Sequence, residues 1–489
     1  GSMSTSVLVG VDIGTSSAKG AAYDPDGRCL GTTEIAYRYE TPRRGWAEAD
    51  AGAWWRTTCR ILRSLADTVR PAQIDGVAVT GQAPTLLAVD AAGRPVRPAI
   101  LWLDVRSEAM AEEIAARVGP EAERVSGNRV HAFYLGPKLA WLRRHEPARF
   151  ERPLTILQSH SYPVMRLTGA RVTDYSSAAL AAPLYDCRAR AWSPEMCAAL
   201  GVDPAWLPEI KPSHAIAGRV TAAAARETGL REGTPVAVGG ADFAASTLAA
   251  GVTEPGEACL MLGTAGNLIM PLATPDFDTR LINSHHVGCD RYLALGGTLS
   301  GALQEWFRSV AAPNVAFETL DAEAAAVPAG SDGLRLLPYL QGERTPVWDA
   351  GACGAFVGLS LVHGRGHLYR AVLEGVAVSF RHCAEIAAEK GLLLREVIAV
   401  NGGARSAVWR QILCDALGVP LLYVPDGAGA PTGGALLAGM AVGLVDGVAT
   451  ARRWRSALVR HAPDAARTET YAGLLAGRRE LYPAIRQIA

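Results

Sequence analysis

One local plan occurs twice in this chain, about half a chain apart. An apolar strand runs into a Gly-Thr turn and returns as a second strand. The first copy is Val7 to Val11, Gly14-Thr15-Ser16-Ser17, then Ala18 to Tyr23. The second is Ala258 to Leu262, Gly263-Thr264-Ala265-Gly266-Asn267, then Leu268 to Met270. An internal echo of this kind is what a duplicated domain leaves behind. It points to two related units, each opening on a β-hairpin. The length of 489 residues also exceeds one ordinary domain.

Between the hairpins, short β-branched runs alternate with longer helical patterns, which predicts an α/β fold. Asp24-Pro25-Asp26-Gly27 adds a turn after the first hairpin, so the N-terminus reads as a meander. Ile74 to Thr80 and Thr85 to Val89 read as strands, and Ser107 opens a helix to Val118 with Gly119-Pro120 as its stop. Val236 to Val238 enters Gly239-Gly240-Ala241-Asp242, and a helix follows to about Ala250. Thr253-Glu254-Pro255-Gly256 suits a boundary between units, here drawn as 4–252 and 253–489. Residues 394–401 read as a strand ending in Asn401-Gly402-Gly403. The helix after it sets Trp409, Ile412, Leu413 and Leu417 on one face and stops at Gly418.

Composition narrows the class of protein. Hydrophobic residues make up 49% and charged residues 20%, enough to bury sizeable cores. Lys+Arg and Asp+Glu both total 48, so no global positive field draws in nucleic acid or an anionic membrane. Nine cysteines lie scattered without a CxxC pair, which speaks for a reduced, cytoplasmic protein without a zinc ribbon or disulfide framework. Gly1-Ser2-Met3 has the look of an expression scar, and Asp12 interrupts the apolar run from Val7, so no signal peptide is read there. The apolar stretch Ala435 to Val445 is too short and Gly-rich to span a bilayer.

Four motifs carry candidate chemistry, each with a plainer alternative. Asp12-Ile13-Gly14-Thr15-Ser16-Ser17-Ala18-Lys19 offers N–H groups and hydroxyls to phosphate, and Asp12 a carboxylate to Mg²⁺; it is equally an ordinary turn capped by Asp12. Gly263-Thr264-Ala265-Gly266 reads the same way, and two such hairpins would let two lobes grip one polyphosphate. Asp242, at a strand's C-terminal end, suits proton abstraction from a hydroxyl, or caps the helix starting at Phe243. Asn401-Gly402-Gly403-Ala404 lets a ligand approach a helix N-terminus, or is a simple turn, and Pro431-Thr432-Gly433-Gly434 reads as a similar loop into a helix. His285-His286 and His363 with His367 lack partners at metal spacing and read as structural. Walker A, GxGxxG and GxSxG patterns are missing, which disfavours P-loop enzymes, dinucleotide dehydrogenases and α/β-hydrolases.

Taken together, these segments resemble the FGGY carbohydrate kinases, with the xylulokinase-like branch nearest. The stretches that carry the resemblance run from about Val7 to about Gly443. They include GVDIGTSSAKGAAYDPDG at the start, residues 76–107, 134–150 and 166–179, and most specifically LPYLQGERTPVWDAGACGAFVGLSL (337–361) and NGGARSAVWRQILCDALGVPL (401–421). The resemblance implies the two-lobed actin/sugar-kinase/chaperone ATPase fold, ribonuclease H-like, with a five-stranded mixed sheet in each lobe and a central cleft. It implies transfer of phosphate from ATP, with Mg²⁺, to a small sugar or polyol. Asp242 falls at the general base and Asp12 near the metal and the transferred group, with both carboxylates as candidate metal ligands. Thr15, Ser16 and Lys19 fall at the first phosphate hairpin, Gly263 and Thr264 at the second, and Gly301, Gly402, Gly403 and Ala404 in the nucleotide pocket. Gln82, Ala83, Pro84, Trp102, Asp104 and Arg106 fall on the sugar side, with Phe133 where some relatives place an aromatic.

One departure bears on the substrate. Xylulokinases usually carry Met-His after Gly-Gln, whereas here Ala83-Pro84 follows Gly81-Gln82. An imidazole that would touch sugar hydroxyls is missing, so D-xylulose is one candidate among ketoses, polyols and sugar acids. Two other readings on the same fold stay open: an ATP-driven, chaperone-like binding protein, and a non-catalytic sugar sensor. No nucleic-acid or membrane partner is expected, and a homodimer is left open.

Overall fold

The computed structural model describes residues 6–425, 429–455 and 457–489. Packing divides the chain into two units. The first takes the described residues of Gly1–Thr253, Asn283–Leu293 and Gly427–Arg455; the second takes those of Glu254–Ile282, Ala294–Asp426 and Ser456–Ala489. Where the sequence reading divides the chain once, between residues 252 and 253, the packing returns to the first unit twice more. The apolar Ala435–Val445 stretch lies in the second of these returns, where Ala435 to Gly439 are buried and Gly443 and Leu444 are exposed.

In the first unit, Val7–Ile13 pairs antiparallel with Ser17–Tyr23 and parallel with Ile74–Gly81. Cys29–Ala36 extends the sheet on one side, and Pro235–Ala237 and Ile216–Arg219 on the other, while Gly240–Ala241 runs alongside the end of Ile74–Gly81. Strand alternation assigns the two faces. Val7, Val9, Val11 and Ile13 join a core with Trp54, Ile61, Leu62 and Leu65 of the helix Ala51–Thr68, which Asp50 caps through the N–H of Gly52. Leu8 and Gly10 face the other way, against the helix Ala430–Ala441.

That second contact is backbone on backbone. A Cβ at Gly10 would lie 1.9 Å from the Pro431 carbonyl oxygen, and one at Gly433 would lie 2.1 Å from that of Ala245. Gly434 sits over Gly10, with 3.1 Å between its would-be Cβ and the Gly10 Cα. The Pro431–Gly434 run therefore lies inside the first turns of a helix rather than in a loop before it, and its glycines serve close packing. The helical run predicted to stop at Gly119-Pro120 does break there, at Val118, and then resumes. It spans Glu108–Ser126 with a kink at Val118, and ends at Gly127 in the left-handed conformation. Proline is tolerated in the first turn after such a break, where its missing N–H has no acceptor to lose.

The second unit repeats the plan of the first. Glu257–Leu262 pairs antiparallel with Ala265–Leu272 and parallel with Glu396–Val400, followed by Leu421–Tyr423 and Val459–His461. Ala258, Leu260 and Leu262 pack with Val372, Val376 and Phe380 of the helix Arg365–Glu389 and with Trp409, Ile412 and Leu413 of the helix Ala407–Leu417. Ser406 caps the latter through the N–H of Trp409, and Gly418 ends it at φ 71°. Each large sheet has seven strands rather than five, because short peripheral strands extend it. Among the described residues, none of the nine cysteines is in a disulfide. Among the described residues, no helix is long and apolar enough to cross a membrane.

A pair of glycine substitutions tests this packing. Gly10→Ala is expected to lower stability toward the upper end of the about 1–3 kcal/mol that overpacking costs. Gly473→Ala, on an exposed helix with nothing within 4 Å of the new methyl, is expected to raise it by about 0.5–1 kcal/mol. Unfolding midpoints that move in the same direction for both variants contradict the close-packed contact.

Candidate active site

Two carboxylates end up at the same edge of the first unit's sheet. Asp12 stands opposite Thr80 in the parallel pairing of Val7–Ile13 with Ile74–Gly81, and Thr80 donates its hydroxyl to Asp12 Oδ1 at 2.8 Å. On the far side of the same strand, Gly240 and Ala241 stand opposite Thr80 and Gly81, and Asp242 follows directly. One strand thus separates the two acids. Burial pushes the Asp242 carboxyl up to about 8, and the negative charge of Asp12 adds to the effect. Burial also raises Asp12, against the Thr80 hydrogen bond and the positive charge of Lys19. These are the two ways a carboxyl is made more basic: desolvation and a like charge.

Local backbone geometry delivers Asp242. Gly239 has φ +79°, and a Cβ there would lie 1.9 Å from the Val79 carbonyl oxygen. A Cβ at Gly240 would lie 2.7 Å from Val287 and 2.8 Å from Asp174. Only Gly-Gly lets the chain run this close and present the next carboxylate. Asp242 is the first residue of the helix Asp242–Ala249, with Ala241 in the cap position. Its Oδ1 accepts from the adjacent Phe243 N–H at 2.7 Å. A capping side chain bonds two or three residues on, so this is not the helix-cap geometry.

The sugar-side candidates divide in two. Gln82, buried, donates from Nε2 to the Gly14 carbonyl at 3.2 Å and accepts from the Thr15 hydroxyl at 3.2 Å. Trp102 donates from Nε1 to that same hydroxyl at 3.0 Å, so Thr15 is a link to Gln82 and Trp102. Ser16 and Lys19 are exposed, Ala83 is half-buried and Pro84 is buried. Phe133 is buried edge-on against Tyr134. Asp104 and Arg106 are otherwise engaged. Asp104 is fully buried and accepts from the Ala47 N–H at 2.7 Å and from the Arg106 guanidinium at 2.8 Å. Arg106 also binds Glu48 at 2.9 Å and lies 3.7 Å over the Trp46 ring, and Arg97 binds Glu48 at 2.7 Å. Burial would raise Glu48, but the hydrogen bonds and charges of the two arginines hold it below its usual value. This geometry fits Asp104 and Arg106 to structure better than to sugar contact.

In the second unit the remaining candidates meet around one strand end. Gly301 donates its N–H to the Gly263 carbonyl at 2.9 Å, and Ala302 to that of Thr264 at 3.1 Å. A Cβ on Gly301 would lie 2.7 Å from the Gly263 oxygen, and one on Gly403 would lie 2.9 Å from that of Leu262. The hairpin turn, the N-terminus of the helix Gly301–Ala311 and the Gly402–Ala404 turn thus form a floor of small residues, and a Cβ on Gly402 would point into open space. Arg410, missed in the sequence, clamps the turn by donating to the carbonyls of Ala404 and Arg405, both at 2.8 Å. Its only sequence signal was a basic residue on the buried side of a helix.

The histidines behave as structural groups. His285 bonds the Tyr185 hydroxyl at 2.7 Å, and His286 bonds the Val252 carbonyl at 2.8 Å. Burial pushes them down to about 3 and about 4. His367 bonds Asp332 and His363 bonds the Asp332 carbonyl, each at 2.9 Å. Among the described residues, no group of three or more His, Cys, Asp or Glu could hold a metal. Asp12 and Asp242 are instead a pair of hard oxygen donors whose mutual repulsion a divalent cation would relieve, which fits Mg²⁺ bound mostly through water and phosphate.

Comparison with known proteins gives a consistent result over most of the chain. The profile of the FGGY family of carbohydrate kinases, N-terminal domain, matches residues 7–249, and that of the C-terminal domain matches residues 259–442. The xylulose kinase of Bacillus subtilis (strain 168) is 31% identical over 441 residues, 89% of this chain and 88% of that one. The glycerol kinase of Nocardia farcinica is 30% identical over 465 residues, covering 90% and 91%. The crystal structure of xylulose kinase from Rhodospirillum rubrum superposes with a TM-score of 0.90 at 34% identity, covering 99% of each chain.

The carboxylate pair also makes a prediction about stability. A raised folded-state pKa means that the folded protein binds the Asp242 proton more tightly than the unfolded chain. That group therefore costs stability increasingly as pH rises from about 4 to about 8. In metal-free buffer, Asp242→Asn is expected to melt above wild type at pH 8, with the gap closing toward pH 4. A gap that is constant or widens on acidification would refute the assigned repulsion.

Proposed function

The chain belongs to the FGGY family of carbohydrate kinases and phosphorylates a sugar or polyol hydroxyl at the expense of ATP, and we propose that Asp242 is its general base. The supporting observation is the position of Asp242 across one strand from Asp12, with its carboxyl raised to about 8. A base works best with a pKa near the working pH. Deprotonated Asp242 takes the proton of the acceptor hydroxyl as that oxygen bonds to the γ-phosphorus of ATP. The bond from phosphorus to the bridging oxygen breaks, ADP leaves, and the proton passes to solvent. Mg²⁺, when bound, supplies the positive charge that offsets the phosphates, and Asp12 with Asp242 would hold it.

The same proposal assigns the units. The first carries the sugar side, with Gln82, Trp102 and the Ala83-Pro84 segment, and its hairpin at Thr15 to Lys19 serves phosphate. The second carries the nucleotide on the floor of Gly263, Thr264, Gly301, Gly402, Gly403 and Ala404. A kinase of the xylulokinase type is the reading that the relatives support. Ala83 and Pro84 have no polar side-chain atom, so an acceptor that needs a hydrogen bond there is disfavoured. The chaperone-like and sensor readings have no observation in their favour.

Three measurements test these assignments. Asp242→Asn keeps size and removes basicity, so kcat is expected to fall by about 10²–10⁴-fold. Wild-type turnover would leave Asp242 without a catalytic role. Asp12→Ala is expected to lower kcat and flatten the Mg²⁺ titration, and an unchanged titration at full activity removes it from metal binding. A coupled ADP-release screen over pentuloses, hexuloses, polyols and sugar acids is expected to rank D-xylulose low. If D-xylulose is preferred with kcat/KM of about 10⁴ M⁻¹s⁻¹ or more, the reading of Ala83-Pro84 is wrong while the kinase assignment stands.

A further inference from the structure

The turn that carries Asp242 is gripped from behind by a buried carboxylate that the chemistry above does not use. Asp174 follows the short strand Val172–Thr173 and caps the helix Tyr175–Ala179, accepting from the Ser176 N–H at 2.9 Å. It is fully buried. Its Oδ2 also accepts from the hydroxyls of Ser176 and Ser213, the latter at 3.0 Å. Each serine then holds the Gly239–Ala241 turn. The Ser176 hydroxyl accepts from the Ala241 N–H at 3.0 Å, and the Ser213 carbonyl accepts from the Gly239 N–H at 3.0 Å. Between these two points Gly240 rests on the carboxylate itself, since a Cβ there would lie 2.8 Å from Oδ2. Buried His160 places Nε2 3.3 Å from Asp174 Oδ1. Burial alone would raise Asp174, yet His160 and the Ser176 hydroxyl hold it below its usual value. An ion kept in the interior carries a desolvation cost, and here both of its hydroxyl partners end on the same three-residue turn.

We propose that Asp174, acting through Ser176 and Ser213, is a positioning residue for Asp242, fixing the peptide just before it so that the carboxylate stays within reach of the acceptor hydroxyl. The proposal rests on the reading of Asp242 as the base. Positioning matters because proton transfer needs hydrogen-bond distance, and small displacements are costly in rate.

A mutant cycle decides it, read with ATP and D-xylulose or the preferred acceptor of the screen. Ser176→Ala cuts the arm to Ala241 and is expected to lower kcat by about 10-fold with KM for both substrates within about 2-fold. Its melting temperature should stay near wild type, and Ser176→Thr, which keeps the hydroxyl, should restore kcat. In the background of Asp242→Asn, Ser176→Ala should cost nothing further, because the two act as one unit. Wild-type kcat in folded Ser176→Ala, or a full additional loss in the double variant, overturns the positioning role. Should Ser176→Ala fail to fold, Ser213→Ala cuts the other arm and enters the same cycle. If Asp242→Asn alone keeps wild-type kcat, the base reading itself has failed, and the positioning role falls with it.

Discussion

Two half-buried carboxylates on either side of a single strand are the constraint around which the first unit is arranged. Burial raises the Asp242 carboxyl, and the like charge of Asp12 raises it further. The surroundings then follow. Thr80 and Lys19 stabilise the charge on Asp12, whereas Asp242 has only the N–H groups at its own helix start. That asymmetry in partners is what the proposed division of roles between the two acids rests on.

Close backbone contact is the second recurring device. The hairpin-and-parallel-strand plan of each unit brings segments together at glycines: Gly10 under the helix Ala430–Ala441, Gly239 and Gly240 beside Ile74–Gly81, Gly301 and Gly403 at the second hairpin. At these points a single methyl has no room, so shape is held by the lack of side chains.

Buried charge is used elsewhere with no sign of chemistry. Asp104, Arg106, Glu48 and Arg97 form one network, and Arg370, Glu374 and Tyr471 another, the last hydroxyl donating to Glu374 at 2.6 Å. Such networks add little net stability against a hydrophobic equivalent, but removing one member leaves an unpaired ion. An acid in a motif is therefore not a site by itself. Asp104 and Asp242 both follow strand-like segments on the sugar side of the sequence, and only the partners around them tell them apart.

Much of the fold was legible in the sequence, because strand and helix periods are local. The apolar run from Val7 already marked a strand, and the two Gly-Thr turns marked the duplicated hairpins. Trp409, Ile412, Leu413 and Leu417 marked a helix by its apolar face, and Gly418 marked its end. What could not be read is whatever depends on which distant segments become neighbours. No local spacing tells that Asp12 and Asp242 flank one strand, that Arg106 occupies Asp104, or that Asp174 reaches the turn before Asp242 through two serines. Nor does it show that the run from Pro431 to Gly434 is helix pressed on Gly10 rather than loop. A strand's register fixes which face each of its residues takes, but strand order in the sheet fixes which carboxylates meet, and that order is settled by long-range packing. The sequence by itself determined the elements and the residue types at their ends; the tertiary structure alone decided which of those ends share a site, because charge, burial and hydrogen-bond partners exist only once the strands are side by side.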